Sequence, residues 1–445
     1  MKNIFLLGSD DFNLELLKEL DQEGELKFHK LYDYEFAKEQ ELIPIQELHL
    51  GGVKRLRDFE GSVDAIVGIW DFPISTMLPL LRAPFNLPSP SLDAVLKCEH
   101  KYWSRIEQKK IIPRHIPEFC AIDPFSEDYK SQIKVKYPYW LKPVKSVASH
   151  LGFKISNERD LEHAIQEIRE KLPRFSRPFN YLLQFANMPK EVEKIDGNYC
   201  LVESIISEGE QCTLEGYVSK GEVFTYGVID SKREGKHRSS LTSYRYPSVL
   251  PTEVQTRMKK LTQKFFNQIK YDQGAFNIEF FWNRKSDEIF LLEANTRISK
   301  SHSPLFKAVD GEYHNRIMVD LSLGRRISFP HRKGKHKVAA KFMWRAYEDA
   351  FVEELPTQSQ IEELELEHHA KIILTVKKGL SLSDLVEQDS YSFELANIFI
   401  GGDTFDQLEQ SYQSIIKKLS AHLRFVKKRI SSWNTQTTSP SQSVI

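Results

Sequence analysis

The sequence predicts a mixed α/β and α+β chain, and three observations carry that expectation. Runs with strand and helix character alternate through the N-terminal part, which implies βαβ units around a parallel sheet. Further on, FNIEFFWN and EIFLLEAN flank a polar Arg-Lys-Ser-Asp break, the pattern of an antiparallel hairpin. A smaller set of strands and helices follows from residue 338. With 445 residues there is length for about two to four domains with cores of their own.

Taken in order, residues 3–7 read as a buried strand and 12–20 as an amphipathic helix with leucines at helical spacing. Residues 28–34 fit a second strand and 64–70, DAIVGIW, a third. The tip Gly8-Ser9-Asp10 is placed to face a ligand, but no GxGxxG is present, so a dinucleotide site is not expected. Proline-rich LRAPFNLPSPS closes this unit. A charged helix at 92–109 follows and exits through Pro113 and Pro117. Residues 134–155 read as strand, turn, strand; 160–171 as a helix; 199–206 and 212–218 as strands. A long amphipathic helix at 252–269 leads into the hairpin, and another helix is expected at 313–323. The basic run HRKGKHK, 331–337, reads as a solvated linker, being short and without interleaved aromatics. Beyond it come a strand at 338–344, a helix at 359–366, strands at 370–376 and 392–400, and a helix at 404–419. The Ser-, Thr- and Gln-rich tail from Trp433 is expected to be disordered.

Composition excludes several classes. The 62 basic and 62 acidic residues cancel, so there is no general attraction to nucleic acid or to anionic membrane. Cys98, Cys120, Cys200 and Cys212 form no CxxC pair, which suggests reduced thiols rather than disulfides or zinc. No apolar run approaches the ~18 residues that span a bilayer. The opening MKNIFLLGSDDF meets acids too early for a signal-peptide core. A cytoplasmic location is the expectation.

The chemistry concentrates in the hairpin. If Asn283 pairs with Ile289, the same register sets Glu279 opposite Glu293, with Asn295 two residues further on the same face. Two carboxylates and an amide oxygen are hard ligands of the kind Mg2+ accepts together with phosphates. Arg297 follows in step as a donor to anionic oxygens. The alternative is a structural hairpin with solvated acids at its rim. The strand faces are otherwise apolar, Ile278, Phe280 and Trp282 on one and Phe281 and Leu291 on the other. A buried carboxylate without a partner is costly, and this favours the metal.

Other stretches leave two readings open. In YWLKPVKSVASHLG, Lys142 ends a strand beside a loop of small residues, either a phosphate cradle or an ordinary hairpin with an exposed lysine. LVESII, with Glu203, fits an adenine hinge or a strand with one outward acid, the more frequent case. GKHRSSLTSYRY, with Arg238, fits a loop closing over an acidic substrate or a solvated loop. His302 is spaced to reach a reacting centre, though lone histidines are more often structural.

In this order the stretches resemble the ATP-grasp superfamily, especially carboxylate–amine ligases of the L-amino-acid ligase type, over about residues 3–419. The entry segment NLPSPSLDAVLKCEHKYW is similar to the family's, and Lys101 matches its phosphate-contacting lysine. The resemblance makes Lys142 the second such lysine, with Ser149 in the phosphate loop, Glu203 and Ile205 at the adenine hinge, and Glu215 near the ribose or metal. It implies Glu279, Glu293 and Asn295 as magnesium ligands and Arg297 as holder of the transferred phosphate, Arg297 and Lys142 being the catalytic pair. His302 and Arg238 remain candidates for substrate contact.

The implied architecture is a Rossmann-like pre-ATP-grasp domain (1–95), a two-lobed ATP-grasp domain (96–330) with a nucleotide lid at about 135–205, a small C-terminal α/β subdomain (336–425) and a tail (430–445). The implied activity is an ADP-forming carbon–nitrogen ligase using ATP and Mg2+ or Mn2+. Its partners would be a small carboxylate and an amine, with no nucleic acid or membrane, and a homodimer is compatible. Bicarbonate activation in the manner of biotin carboxylases, or a non-catalytic ATP-binding regulator, are the alternatives. Three departures stand out: Gln211 at a commonly acidic position, a glycine-poor phosphate loop, and Ser299-Lys300-Ser301-His302-Ser303 where glycines are frequent.

Overall fold

A computed structural model describes residues 1–21, 24–147, 150–385 and 388–426. The expected tail and Ser149 therefore lie outside the described residues. Three strands, β1 (Lys2–Ser9), β2 (Leu26–Asp33) and β3 (Ala65–Val67), form a parallel sheet in the order β2-β1-β3. Alternation along β1 sends Phe5 and Leu7 to Met77 and Leu81 on one face, and Ile4 and Leu6 to Ile317 and Val319 on the other. Burial on both faces is why the strands read as unbroken apolar runs. The second face is covered by the helix Asn315–Ser322, so the N-terminal sheet is locked to the middle of the chain. Arg82 adds to this lock, donating from Nη2 to the Ser322 hydroxyl at 3.0 Å.

A four-stranded antiparallel sheet follows, β4 (Phe119–Ile122), β5 (Tyr139–Pro143), β6 (Phe153–Ile155) and β7 (Cys200–Ser204), in the order β4-β7-β5-β6. The helix Glu158–Lys171, capped by Asn157, buries Leu161, Ala164, Ile165 and Ile168 at helical spacing against it.

The third sheet has eight strands: β8 (Glu210–Ser219), β9 (Glu222–Glu234), β10 (Ser240–Tyr246), β11 (Gly274–Asn283), β12 (Glu288–Asn295), β13 (Val338–Ala346), β15 (Ala370–Leu374) and β16 (Phe393–Gly402). A separate short pair joins β14 (Phe351–Glu354) to β17 (Arg424–Val426). The eight-strand order is β12-β11-β8-β9-β10-β13-β16-β15. Tyr244 pairs with Lys341, so the C-terminal strands continue the sheet that carries the hairpin. The long helix Thr252–Ile269 packs Met258, Leu261, Phe265 and Phe266 on one face of it, against Leu214, Phe276, Ile278 and Phe280. The opposite face is free to carry polar chemistry.

Three expectations need correction. The stretch 235–246, read as a loop, is a short turn at Lys236–Arg238 followed by β10 (Ser240–Tyr246), a strand between β9 and β13. The helix at 92–109 is two helices, Leu92–Glu99 and Lys101–Ile111, broken at His100, whose extended backbone lets its ring accept from the Trp103 amide at 3.2 Å. Such side-chain capping favours a helix start at that point. The hairpin register near the turn is one residue off: Asn283 pairs with Glu288 and Trp282 with Ile289. A β-bulge at Leu292 restores the facing of Glu279 and Glu293, and it turns Leu291 to the helix side with Phe280 rather than to the Phe281 side. All four cysteines are free thiols. Among the described residues no helix is long and apolar enough to cross a membrane.

Candidate active site

Two rows of paired residues cross the polar face of the large sheet: Thr213, Glu279 and Glu293, then Glu215, Asn277 and Asn295. Register alone therefore brings the predicted metal ligands together. Burial, and then the facing Glu293, push the Glu279 carboxyl up to about 7. Burial would raise Glu293 as well, but Lys101 and Lys142 outweigh it and hold this carboxyl low. Two facing carboxylates whose charges oppose each other mark a place where a divalent cation fits. Among the described residues no cluster of three or more His, Cys, Asp or Glu side chains gathers. The protein would thus supply Glu279, Glu293 and Asn295, and phosphate oxygens and water the rest.

The orientation of Asn295 follows from its neighbours. Asn277 donates from Nδ2 to the Arg297 carbonyl at 3.1 Å, so its Oδ1 accepts from Asn295 Nδ2 at 2.9 Å. That leaves Asn295 Oδ1 as the amide atom available to a cation. Asn277→Leu is expected to release this amide and lower apparent Mg2+ affinity about 10- to 100-fold. The measurement is the Mg2+ dependence of ADP binding, and an unchanged midpoint would contradict the relay.

The lysines line the opposite wall. Lys101, first residue of its helix because of the His100 break, lies with Nζ 3.7 Å from Glu293 Oε2 and 3.4 Å from the Ser146 carbonyl. Burial pulls its pKa down. Lys142 on β5 is a diagonal neighbour of Glu203 on β7, and their ion pair measures 2.6 Å. Glu203 also accepts from Arg105 Nε at 2.6 Å. Despite burial, Arg105 and Lys142 hold its carboxyl down to about 2. Each Glu203 oxygen thus meets one cation, Arg105 or Lys142, and the residue holds Lys142 in place. Ile205 lies just after β7, half-buried in the connection from the four-stranded to the eight-stranded sheet.

Arg105 was not legible in the sequence. It donates to the carbonyls of Leu291 at 3.1 Å and Leu292 at 2.7 Å, the residues of the bulge. One guanidinium thus joins the entry helix, β7 and the metal hairpin. Lys145 was missed too. It is 2 % exposed and clamped between Asp71, 3.2 Å away, and Glu99. Those two carboxylates raise its pKa against the pull of burial.

Arg297 donates from Nη2 to Asp71 Oδ2 at 2.7 Å, and among the described residues its buried Nε has no hydrogen-bond partner. A guanidinium with a spare inward donor suits an anionic oxygen. Glu215, opposite Asn277 in the row next to Glu279, turns its carboxylate to the 299–303 segment: its Oε1 accepts from the Ser299 amide at 3.2 Å and pairs with His302 Nδ1 at 2.7 Å. Burial raises Glu215 to about 7 and lowers His302 to about 3. The imidazole is neutral, and among the described residues its Nε2 has no partner. Gln211 is a relay, donating to Glu279 Oε2 at 2.7 Å while accepting from Arg233 Nε. Arg238 is exposed on the turn Lys236–Arg238, and Arg233 is the cation of this region that reaches the site.

Residues 135–304 match the ATP-grasp domain family. This part of the chain is an ATP-grasp domain. Its cleft is the one just described, between the lysine-bearing segments and the hairpin. Over 340 residues, 74% of this chain, the sequence is 23% identical to urea amidolyase of Saccharomyces cerevisiae, and it spans 17% of that protein's length. The fold is similar to L-amino acid ligase from Bacillus licheniformis, with TM-score 0.69 at 13% identity over 96% of this chain and 99% of that one. It is also similar to N5-carboxyaminoimidazole synthase from Aspergillus clavatus, solved with ADP and 5-aminoimidazole ribonucleotide (TM-score 0.64, 15% identity, 94% and 99% covered). Biotin carboxylase from Campylobacter jejuni follows at TM-score 0.61, 14% identity, 96% and 92% covered. The expected ATP-grasp resemblance and the mixed α/β fold class are borne out.

Proposed function

We propose that the chain is an ATP-dependent ligase joining a small carboxylate to an amine, with ADP and phosphate as products. The observation that carries this reading is the facing Glu279–Glu293 pair with Lys101, Lys142 and Arg297 around one cleft. Lys101 and Lys142 are placed to hold the phosphates of ATP, and Glu279, Glu293 and Asn295 to hold Mg2+. When bound, the ion would neutralise phosphate charge during transfer. A substrate carboxylate oxygen attacks the γ-phosphorus, the bond to ADP breaks, and an acyl phosphate forms. Arg297 Nε faces the charge of that phosphate. The amine nitrogen then attacks the acyl carbon, and phosphate leaves. His302 Nε2, neutral with its other nitrogen on Glu215, is positioned to accept a hydrogen bond from the amine and orient it, and the amine proton passes to the departing phosphate. Most of the rate enhancement would come from positioning and fixed charge.

The similarity to an L-amino acid ligase supports an amino acid or peptide as substrate. The test is ADP release from Mg-ATP over pairs of amino acids, with mass spectrometry of the products. Amide formation with stoichiometric ADP is the expected result. ADP release driven by bicarbonate without any amine, or none with any pair, would remove this reading.

A further inference from the structure

The segment Ser299-Lys300-Ser301-His302-Ser303 builds the far end of the cleft, beyond Arg297. Lys300 lies with Nζ 3.0 Å from the centre of the Trp70 ring, on the N-terminal unit. Lys341 on β13 is 6% exposed, and its Nζ donates to the Ser301 hydroxyl at 3.0 Å. Its other close neighbours are the rings of Tyr244 and Phe399, at 6.0 and 5.9 Å. His302 stands edge-on to Tyr244 at 4.6 Å, so the two lysines adjoin the reacting end of the cleft.

Lys341 is buried and Lys300 half-buried, and an ammonium withdrawn from water in this way is costly without an anion. The carboxylates that face them are committed elsewhere. Asp10 accepts from Trp70 Nε1 at 2.9 Å and from the Asn13 amide at 2.8 Å. Glu394 accepts from Asn397 Nδ2 at 2.7 Å and pairs with Arg345 at 3.4 Å. Among the described residues neither Lys300 nor Lys341 has a carboxylate at ion-pair distance.

We propose that Lys300 and Lys341 bind a second carboxylate on the organic substrate, so that the preferred substrate is an acidic amino acid or another dicarboxylate. The proposal rests on the ligase reading for the word substrate, but not for the binding. Burial and then Lys341 bring the Lys300 pKa down to about 7, consistent with an ammonium that lacks its anion. A neutral substrate would leave the pair uncompensated.

The test uses the full chain saturated with Mg-ADP and equilibrium dialysis of aspartate, glutamate and succinate against asparagine, glutamine and butyrate. The diacids are expected to bind at least about tenfold more tightly than their neutral counterparts. Lys300→Met and Lys341→Met, which keep the side-chain volume, should each remove most of that preference while Mg-ADP affinity is unchanged. Equal binding of acidic and neutral members, no binding of the diacids, or an unchanged preference in both variants overturns the proposal. A ligase reading that fails for want of ADP release does not affect this measurement, so the two failures are distinguishable.

Discussion

Glu279→Gln is expected to reduce Mg-ATP turnover at least ~10²-fold while making the ligand-free protein more stable at pH 8. Both effects have one cause. The Glu279 carboxyl, buried opposite Glu293, is pushed up from 4.5 to about 7. Between those values the folded chain holds a proton that the unfolded chain has lost, so stability falls as pH rises through that window. A neutral amide removes the fall, a gain of roughly 1–2 kcal/mol once solvent in the cleft is allowed for. Gln211 still has an oxygen or amide to meet in the variant. At pH 5 the gain should shrink, because Glu279 is then protonated in the wild type as well.

Glu293→Gln offers the contrast. It too should lose turnover, but Lys101 then loses its anion at 3.7 Å, and no gain in stability is expected. Thermal unfolding of both variants at pH 5 and pH 8, with and without Mg-ADP, separates these outcomes. Near-normal turnover in either variant would refute the metal assignment. A lower Tm for Glu279→Gln at pH 8 would refute the electrostatic account.

The facing carboxylates were legible because side chains alternate with period two, and Glu279 and Glu293 lie in step on two strands joined by a polar break. The intermediate register was not. Leu292 looks like any strand residue, and no glycine or proline marks the bulge that it forms. The one-residue offset at the turn and the bulge cancel, which is why Glu279 faces Glu293 although Asn283 does not meet Ile289. The roles of Glu203 and Asp71 were beyond sequence reading for a different reason. A pattern tells which face a side chain takes, not what waits there. Glu203 meets Arg105 from 98 residues away, and Asp71 meets Arg297 across 226. Lys145 was hidden by its own sequence, since a lysine among small residues reads as exposed, whereas two carboxylates bury it. The far end of the cleft was visible only as a departure from family pattern at 299–303, with no sign that Lys341 would join it from a strand of the C-terminal unit.

Arg105→Met is expected to be among the costliest single substitutions in the chain, about 3–5 kcal/mol. The guanidinium is 2% exposed and its pairing with Glu203 is equally enclosed. Removing it leaves Glu203 with Lys142 alone and strips the Leu291 and Leu292 carbonyls of their donors at the bulge. The entry helix, β7 and β12 then lose their common tie, so nucleotide affinity should fall with stability although Arg105 touches no phosphate. The second substitution Glu203→Gln should recover part of the loss, since it removes the buried charge that Arg105 had compensated. A double-mutant cycle on urea unfolding measures that coupling.

The acid limb gives an independent readout. Glu203 is held down to about 2 against an ordinary 4.5. Its contribution is fully present above about 4.5 and is lost as pH falls towards 2. Arg105→Met should flatten that limb of the stability profile. If the variant unfolds with the wild-type acid dependence, the Glu203 carboxylate draws its stabilisation from elsewhere, and the tie through Arg105 between β7 and the hairpin is wrong.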